Sequence, residues 1–156
     1  MKLRLALTIC FSAICIPLFA GIPSHKAVYI GGTVKGLKEN IEGIMSTKKD
    51  GKQLFFDYNK KDQFAIPYDR VDSLEYGQKA GRRVGLAIAV TPIALLSKKR
   101  RHYLTINYTD ADDKQQAAVF ELGKDIVRVT LSSLEARTGR KIEYQDEEAR
   151  NSSKGN

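Results

Sequence analysis

From residue 27 to residue 122 the apolar residues of this chain come in short β-branched and aromatic runs, and beyond Lys124 their period becomes that of a helix. That change of period limits the fold more than any other feature, because a strand buries alternate residues whereas a helix buries every third or fourth. The strand texture is clearest in Tyr103-Leu-Thr-Ile-Asn-Tyr108, where Leu104, Ile106 and Tyr108 share one face and Tyr103, Thr105 and Asn107 the other. The helical texture occupies 124–138, in which Val127, Leu131, Leu134 and Thr138 are spaced by four, three and four. Gly139, followed by Arg140 and Lys141, supplies a helix end.

Turn chemistry divides the first region into strands at 27–35, 41–47, 53–58, 63–66, 71–76, 103–108 and 116–122. Asp50-Gly51 lies between the second and third of these, and both residues tolerate the positive φ that a tight hairpin needs. A short extended piece, 142–145, follows the helix, and 146–156 reads as a disordered polar tail. The expectation is a mainly β (α+β) fold of about seven antiparallel strands, a barrel or sandwich closed by one C-terminal amphipathic helix, in one domain spanning 27–145.

Residues 1–20 have the layout of a secretory signal peptide: Lys2 and Arg4, an unbroken apolar run from Leu5 to Ile16, then Pro17-Leu-Phe-Ala20. Cleavage is expected between 20 and 24. Both cysteines, Cys10 and Cys15, fall inside this leader, so the processed chain has no thiol for a disulfide, a thiolate metal site or a cysteine nucleophile.

No acidic residue occurs between Glu75 and Asp110. Within that gap Lys79, Arg82 and Arg83, then Lys98, Lys99, Arg100 and Arg101, bracket the apolar stretch 84–96. Of the 26 Lys and Arg residues, two lie in the leader and seven in these brackets, and the remaining 17 balance 18 Asp and Glu. Seven of the net eight positive charges are therefore those of this one segment, 79–102. Val84, Leu86, Ile88 and Val90 alternate with small residues as a strand would, whereas Thr91-Pro92 opens a short helix through Ile93 and Leu96. With 13 residues interrupted by Pro92, the stretch is shorter than the roughly 20 residues a membrane-spanning helix needs. It reads as buried core, as a partner-binding loop, or as an interfacial segment.

The remaining motifs point to no chemistry. His102 stands among cations, which disfavour an imidazolium, and no nucleophile elbow, paired metal-ligating histidines or phosphate loop accompanies it. Asp110, Asp112 and Glu121 fit positions one, three and twelve of a calcium loop, but Lys114 and Gln115 stand where an oxygen ligand and a glycine are required. The better account of that stretch is a solvated hairpin turn. Gly31-Gly32 with Lys35-Gly36 reads as a bulge or a close backbone approach. No catalytic residue, metal ligand or cofactor is assigned.

Seven strands followed by an amphipathic helix resembles the pleckstrin-homology-like superfold, including its bacterial and GRAM-type relatives. Val34-Lys-Gly-Leu-Lys38 resembles the opening of a lipid-binding member, but Ile41, Gly43 and Met45 stand where its basic residues belong, so no phosphoinositide site is implied. Three blocks, Ile66-Pro-Tyr-Asp69, Leu74-Glu-Tyr-Gly-Gln78 and the stretch 134–146, are similar to blocks in short exported bacterial proteins of unknown function.

The functional expectation is an exported, periplasmic or extracellular, non-enzymatic module whose segment 79–102 contacts an anionic membrane surface, an envelope polymer or an acidic protein. Nucleic acid is not an expected partner, since the brackets hold no interleaved aromatic residues. The alternatives are a small hydrolase working without cysteine or metal, or a structural subunit that packs its apolar segment on a partner chain. Protein recovered from the envelope or the medium should show, by mass spectrometry, an N-terminus between Gly21 and His25. Recovery of a soluble folded form retaining Met1 would contradict the leader.

Overall fold

A computed structural model describes residues 25–47, 51–59, 62–78 and 101–154. The leader expected at 1–20 and most of the bracketed segment, 79–100, lie outside them. Within the described residues, four strands follow one another as β1 (His25–Gly32), β2 (Ile41–Thr47), β3 (Gln53–Tyr58) and β4 (Asp62–Pro67). A single 3-10 turn, Tyr68–Arg70, leads to β5 (Val71–Gly77), then β6 (His102–Thr109) and β7 (Gln115–Leu122). The C-terminal part holds helix α1 (Val127–Thr138), the short strand β8 (Ile142–Tyr144) and helix α2 (Glu147–Ser153).

All eight strands belong to one sheet in the order β4-β3-β2-β1-β7-β6-β5-β8. Neighbours are antiparallel except β8, which runs parallel to β5 with Leu74, Tyr76 opposite Ile142, Tyr144. The fold is mainly β, as the sequence predicts, with three corrections. The described residues hold eight strands and two helices rather than about seven and one. The sheet is mixed, because the chain reaches β8 through the crossover helix α1. Among the described residues the pairing ends at β4 on one side and β8 on the other, so it does not close a barrel.

The sheet nonetheless folds over on itself. In a flat sheet β4 and β6 would lie five strand spacings apart, about 24 Å, and β3 and β7 three spacings apart, about 14 Å. Instead the rings of Phe64 and Tyr108 are 6.1 Å apart, and those of Phe56 and Phe120 are 5.1 Å apart. The inner face thus encloses Tyr29, Met45, Phe56, Ile66, Leu74, Leu104, Ile106 and Phe120 in one core. One device for the bend is visible in β1, whose register against β7 shifts between Tyr29 and Gly31. The strand ends at Gly32, with φ +146°, where a Cβ would stand 2.1 Å from the Ala117 carbonyl oxygen. Only glycine permits the Thr33 amide to reach that same oxygen at 2.9 Å.

Helix α1 covers the core with the predicted stripe, Val127, Leu131 and Leu134, joined by Thr130. It ends at Gly139, whose left-handed φ of 69° lets its amide bond to the Glu135 carbonyl. Two arginines tie the end of α1 to the sheet: Arg137 lies 5.8 Å over the Tyr68 ring, and Arg140 donates to the Val71 carbonyl at 3.0 Å. The polar tail expected at 146–156 is corrected by α2. Asp146 caps it by accepting from the Ala149 amide at 2.7 Å, and Ala149 and Ser153 are buried.

Leu131 is 3% exposed and faces rings and aliphatic side chains, so a carboxylate there would be desolvated without a partner. Leu131→Asp should abolish folding or cost more than about 3 kcal/mol in urea unfolding. Unchanged stability would show that α1 is not part of the core.

Candidate functional site

The segment expected to meet an anionic surface connects two neighbouring strands, β5 and β6. Lys79, Arg82, Arg83, Lys98, Lys99 and Arg100 lie outside the described residues, as do Val84, Leu86, Ile88, Val90, Ile93 and Leu96. Their attachment points are described. Gly77 at the end of β5 pairs with Tyr103 near the start of β6, one strand spacing of about 4.8 Å away. In the sequence Lys79 follows Gly77 by two residues and Arg101 precedes Tyr103 by two.

Arg101 is the one bracket residue with a described contact. Its guanidinium donates to Glu121 at 2.6 Å, with the two side chains 42% and 21% exposed. This bond holds the arginine more firmly protonated than usual. It also commits the arginine's charge to a carboxylate on the outer face of the sheet, which the sequence did not signal, because Glu121 is distant in the chain and comes within reach only through the β6–β7 pairing.

Beside that ion pair the outer face of the sheet carries an open groove of about 690 Å³. Its lining alternates charge and apolar surface: Lys26 and Val28 on β1, Glu42 and Ile44 on β2, Asp57 on β3 and Glu121 on β7. Register explains the pattern. Val28 stands between Glu42 and Glu121, and Ile44 between Lys26 and Asp57. Glu42 and Glu121 are thus separated by two strand spacings, about 10 Å along the sheet. Asp57 is engaged by the Ser46 hydroxyl at 3.2 Å and by the Gln63 amide. Period-two reading of 41–47 would have put Glu42 and Ile44 on one face, but not which strands lie beside them.

Next to the ion pair, His102 opens β6. Its Nδ1 lies 2.5 Å from the hydroxyl of Tyr76, a fully buried side chain, and that hydroxyl lies 3.3 Å from Ser152 Oγ on α2. Burial pushes the imidazole pKa below its ordinary 6.5; the cation of Lys124 pushes the same way, and Glu121 opposes both. The sequence placed His102 among cations and expected a depressed pKa; in the fold, desolvation is the larger cause. Elsewhere, Asp110 of the rejected calcium frame is spent on the β6–β7 turn. Its carboxylate accepts from the amides of Asp112 and Lys114 at 2.9 and 3.0 Å and from Gln116 at 2.7 Å. Those bonds, the Lys114 amide foremost, lower its pKa. Among the described residues no group of three or more His, Asp or Glu could hold a metal ion.

A histidine whose folded pKa lies below its unfolded value binds fewer protons in the native state, so stability is full above pH 6.5 and declines as pH falls below it. Urea unfolding at pH 7.5 and 5.5 should show a loss for the parent that exceeds the loss for His102→Gln. Equal losses would place the imidazole outside the folded network. No protein-family model matches the chain and no curated protein matches it in sequence, so the reading of this site rests on its own geometry.

Proposed function

We propose that the protein is an exported, non-enzymatic binding module of pleckstrin-homology-like architecture that meets an anionic surface through the cationic brackets of 79–102. The pairing of Gly77 with Tyr103 carries this reading. The segment that carries both clusters leaves the sheet at Gly77 and re-enters it beside Tyr103, and the two clusters stand only 14 residues apart in the sequence. Each cation near an anionic headgroup layer contributes on the order of 1 kcal/mol. The apolar stretch between the clusters is carried on the same insertion and suits an interfacial contact, in which apolar burial adds to charge. Within the brackets Arg101 ranks below the others, because Glu121 already neutralises it.

Processed protein should bind vesicles containing acidic lipid and ignore neutral ones, with binding that weakens as salt rises, since exposed charges are screened beyond about 8 to 10 Å near physiological ionic strength. Changing Lys98, Lys99 and Arg100 together to Gln should remove most of the salt-sensitive binding, and changing Lys79, Arg82 and Arg83 should do the same. Arg101→Gln should have the smaller effect. A parent that ignores acidic vesicles and acidic polymers alike, or triple variants that bind as the parent does, would overturn the proposal.

A further inference from the structure

Three polar contacts run in line from the start of β6 to the C-terminal helix. His102 Nδ1 and the Tyr76 hydroxyl are 2.5 Å apart, the Tyr76 hydroxyl and Ser152 Oγ 3.3 Å, and Ser152 Oγ and the Ala149 carbonyl oxygen 2.9 Å. With a neutral imidazole whose Nδ1 is bare, only two hydrogens, those of Tyr76 and Ser152, serve these three contacts. In the tautomer that carries its proton on Nε2, Nδ1 is an acceptor and the Tyr76 hydroxyl donates to it. Ser152 donates to Ala149, and the long middle contact is left without a hydrogen.

We infer that this chain is a proton-driven relay, in which protonation of His102 reverses the Tyr76 hydroxyl and draws it onto Ser152, so that α2 registers the charge state at the base of the cationic insertion. A proton on Nδ1 supplies the missing third hydrogen. Nδ1–H then donates to the Tyr76 oxygen, the Tyr76 O–H turns to Ser152 Oγ, and Ser152 keeps its bond to Ala149. No bond is broken other than the one that reverses. Tyr76 is held for this by neighbours on every side: its ring stacks 6.1 Å from the imidazole, meets Tyr144 edge-on at 6.0 Å, and its carbonyl accepts from the Gln145 amide at 3.0 Å. Arg150 of α2 lies 5.5 Å over the Tyr144 ring.

Among the described residues, the charged and titratable groups around the imidazole are Tyr76 on β5, Arg101 just before β6, Glu121 on β7 and Lys124 beyond it, with Tyr144 of β8 and Arg150 of α2 behind Tyr76. The geometry is independent of any bound surface. At an anionic membrane, a surface potential near −30 mV raises the local proton concentration about threefold, in the sense that drives the relay forward.

The test is a nuclear magnetic resonance titration of the processed protein in solution without vesicles, from pH 8 to 5. The imidazole resonances of His102 and the amide resonances of Ala149, Ser152 and Ser153 should shift with one shared midpoint below 6.5. In Tyr76→Phe and in Ser152→Ala the imidazole should still titrate while the α2 amides no longer follow it. Ser152→Ala keeps the test available should removal of the Tyr76 hydroxyl impair folding. Amides of α2 that titrate in the parent with a midpoint unrelated to His102, or that follow His102 equally in both variants, would overturn the relay. Because no anionic surface is present, failure of vesicle binding would leave this result unaffected.

Discussion

The meeting of aromatic rings across the folded-over sheet is the contact on which the rest of the domain depends. The apolar inner face of a single sheet must find a second layer, and this chain supplies most of it from the sheet's own far half. Phe56 and Phe64 from the β1–β4 side reach Phe120 and Tyr108 from the β5–β7 side. Each ring buries on the order of 150 to 250 Å² and gains a further 0.5 to 1.5 kcal/mol from its tilted neighbour. Burial pushes the pKa of both Tyr29 and Tyr108 up to about 12, which keeps their hydroxyls neutral inside this core. Helix α1 then has a modest task, to cover the open mouth with three aliphatic side chains, and its arginines fasten it at the rim.

Much of this architecture is legible from local chemistry. Strands β2 and β3 coincide with the runs that turn residues delimit, residue for residue, because polar loops bound them on both sides. The alternation in 103–108 puts Leu104, Ile106 and Tyr108 in the main core and Tyr103 in a second cluster with Ile30 and Val119 on the outer face, as period two requires. Less legible is whatever tertiary contact decides. Gly31-Gly32 reads as a bulge or a close backbone approach and both occur, but that the first strand ends at Gly32 and not at residue 35 shows only once β7 lies beside it. Helix α2 lacks an apolar stripe and reads as solvated tail. What orders it is an Asp cap together with two small residues, Ala149 and Ser153, pressed into the sheet.

The candidate site divides along the same line. Composition alone locates the charge, since an acid-free stretch between two basic clusters needs no partner to be seen. That the clusters are rooted together depends on β5 and β6 being neighbours, and that Arg101 is turned toward Glu121 depends on β6 and β7 being in register. The Tyr76–His102–Ser152 contacts join residues 26 and 76 positions apart. No periodicity reaches that far, so they are a property of the fold rather than of any segment.

The position of β1 also governs the order in which the domain can be completed. Of the eight described strands this one is synthesised first, yet it lies in the middle of the sheet, with β2 on one side and β7 on the other. Its second partner begins at Gln115, some 90 residues later, a delay of roughly 5 to 20 seconds at ordinary rates of synthesis. Through that interval the β1–β4 meander can form, but one long flank of β1 offers unpaired amides and carbonyls to any extended chain nearby. The nascent protein is thus most exposed to mispairing at the strand that, once finished, is best protected, and a holding factor or rapid passage through that interval would matter more to its yield than the stability of the completed fold.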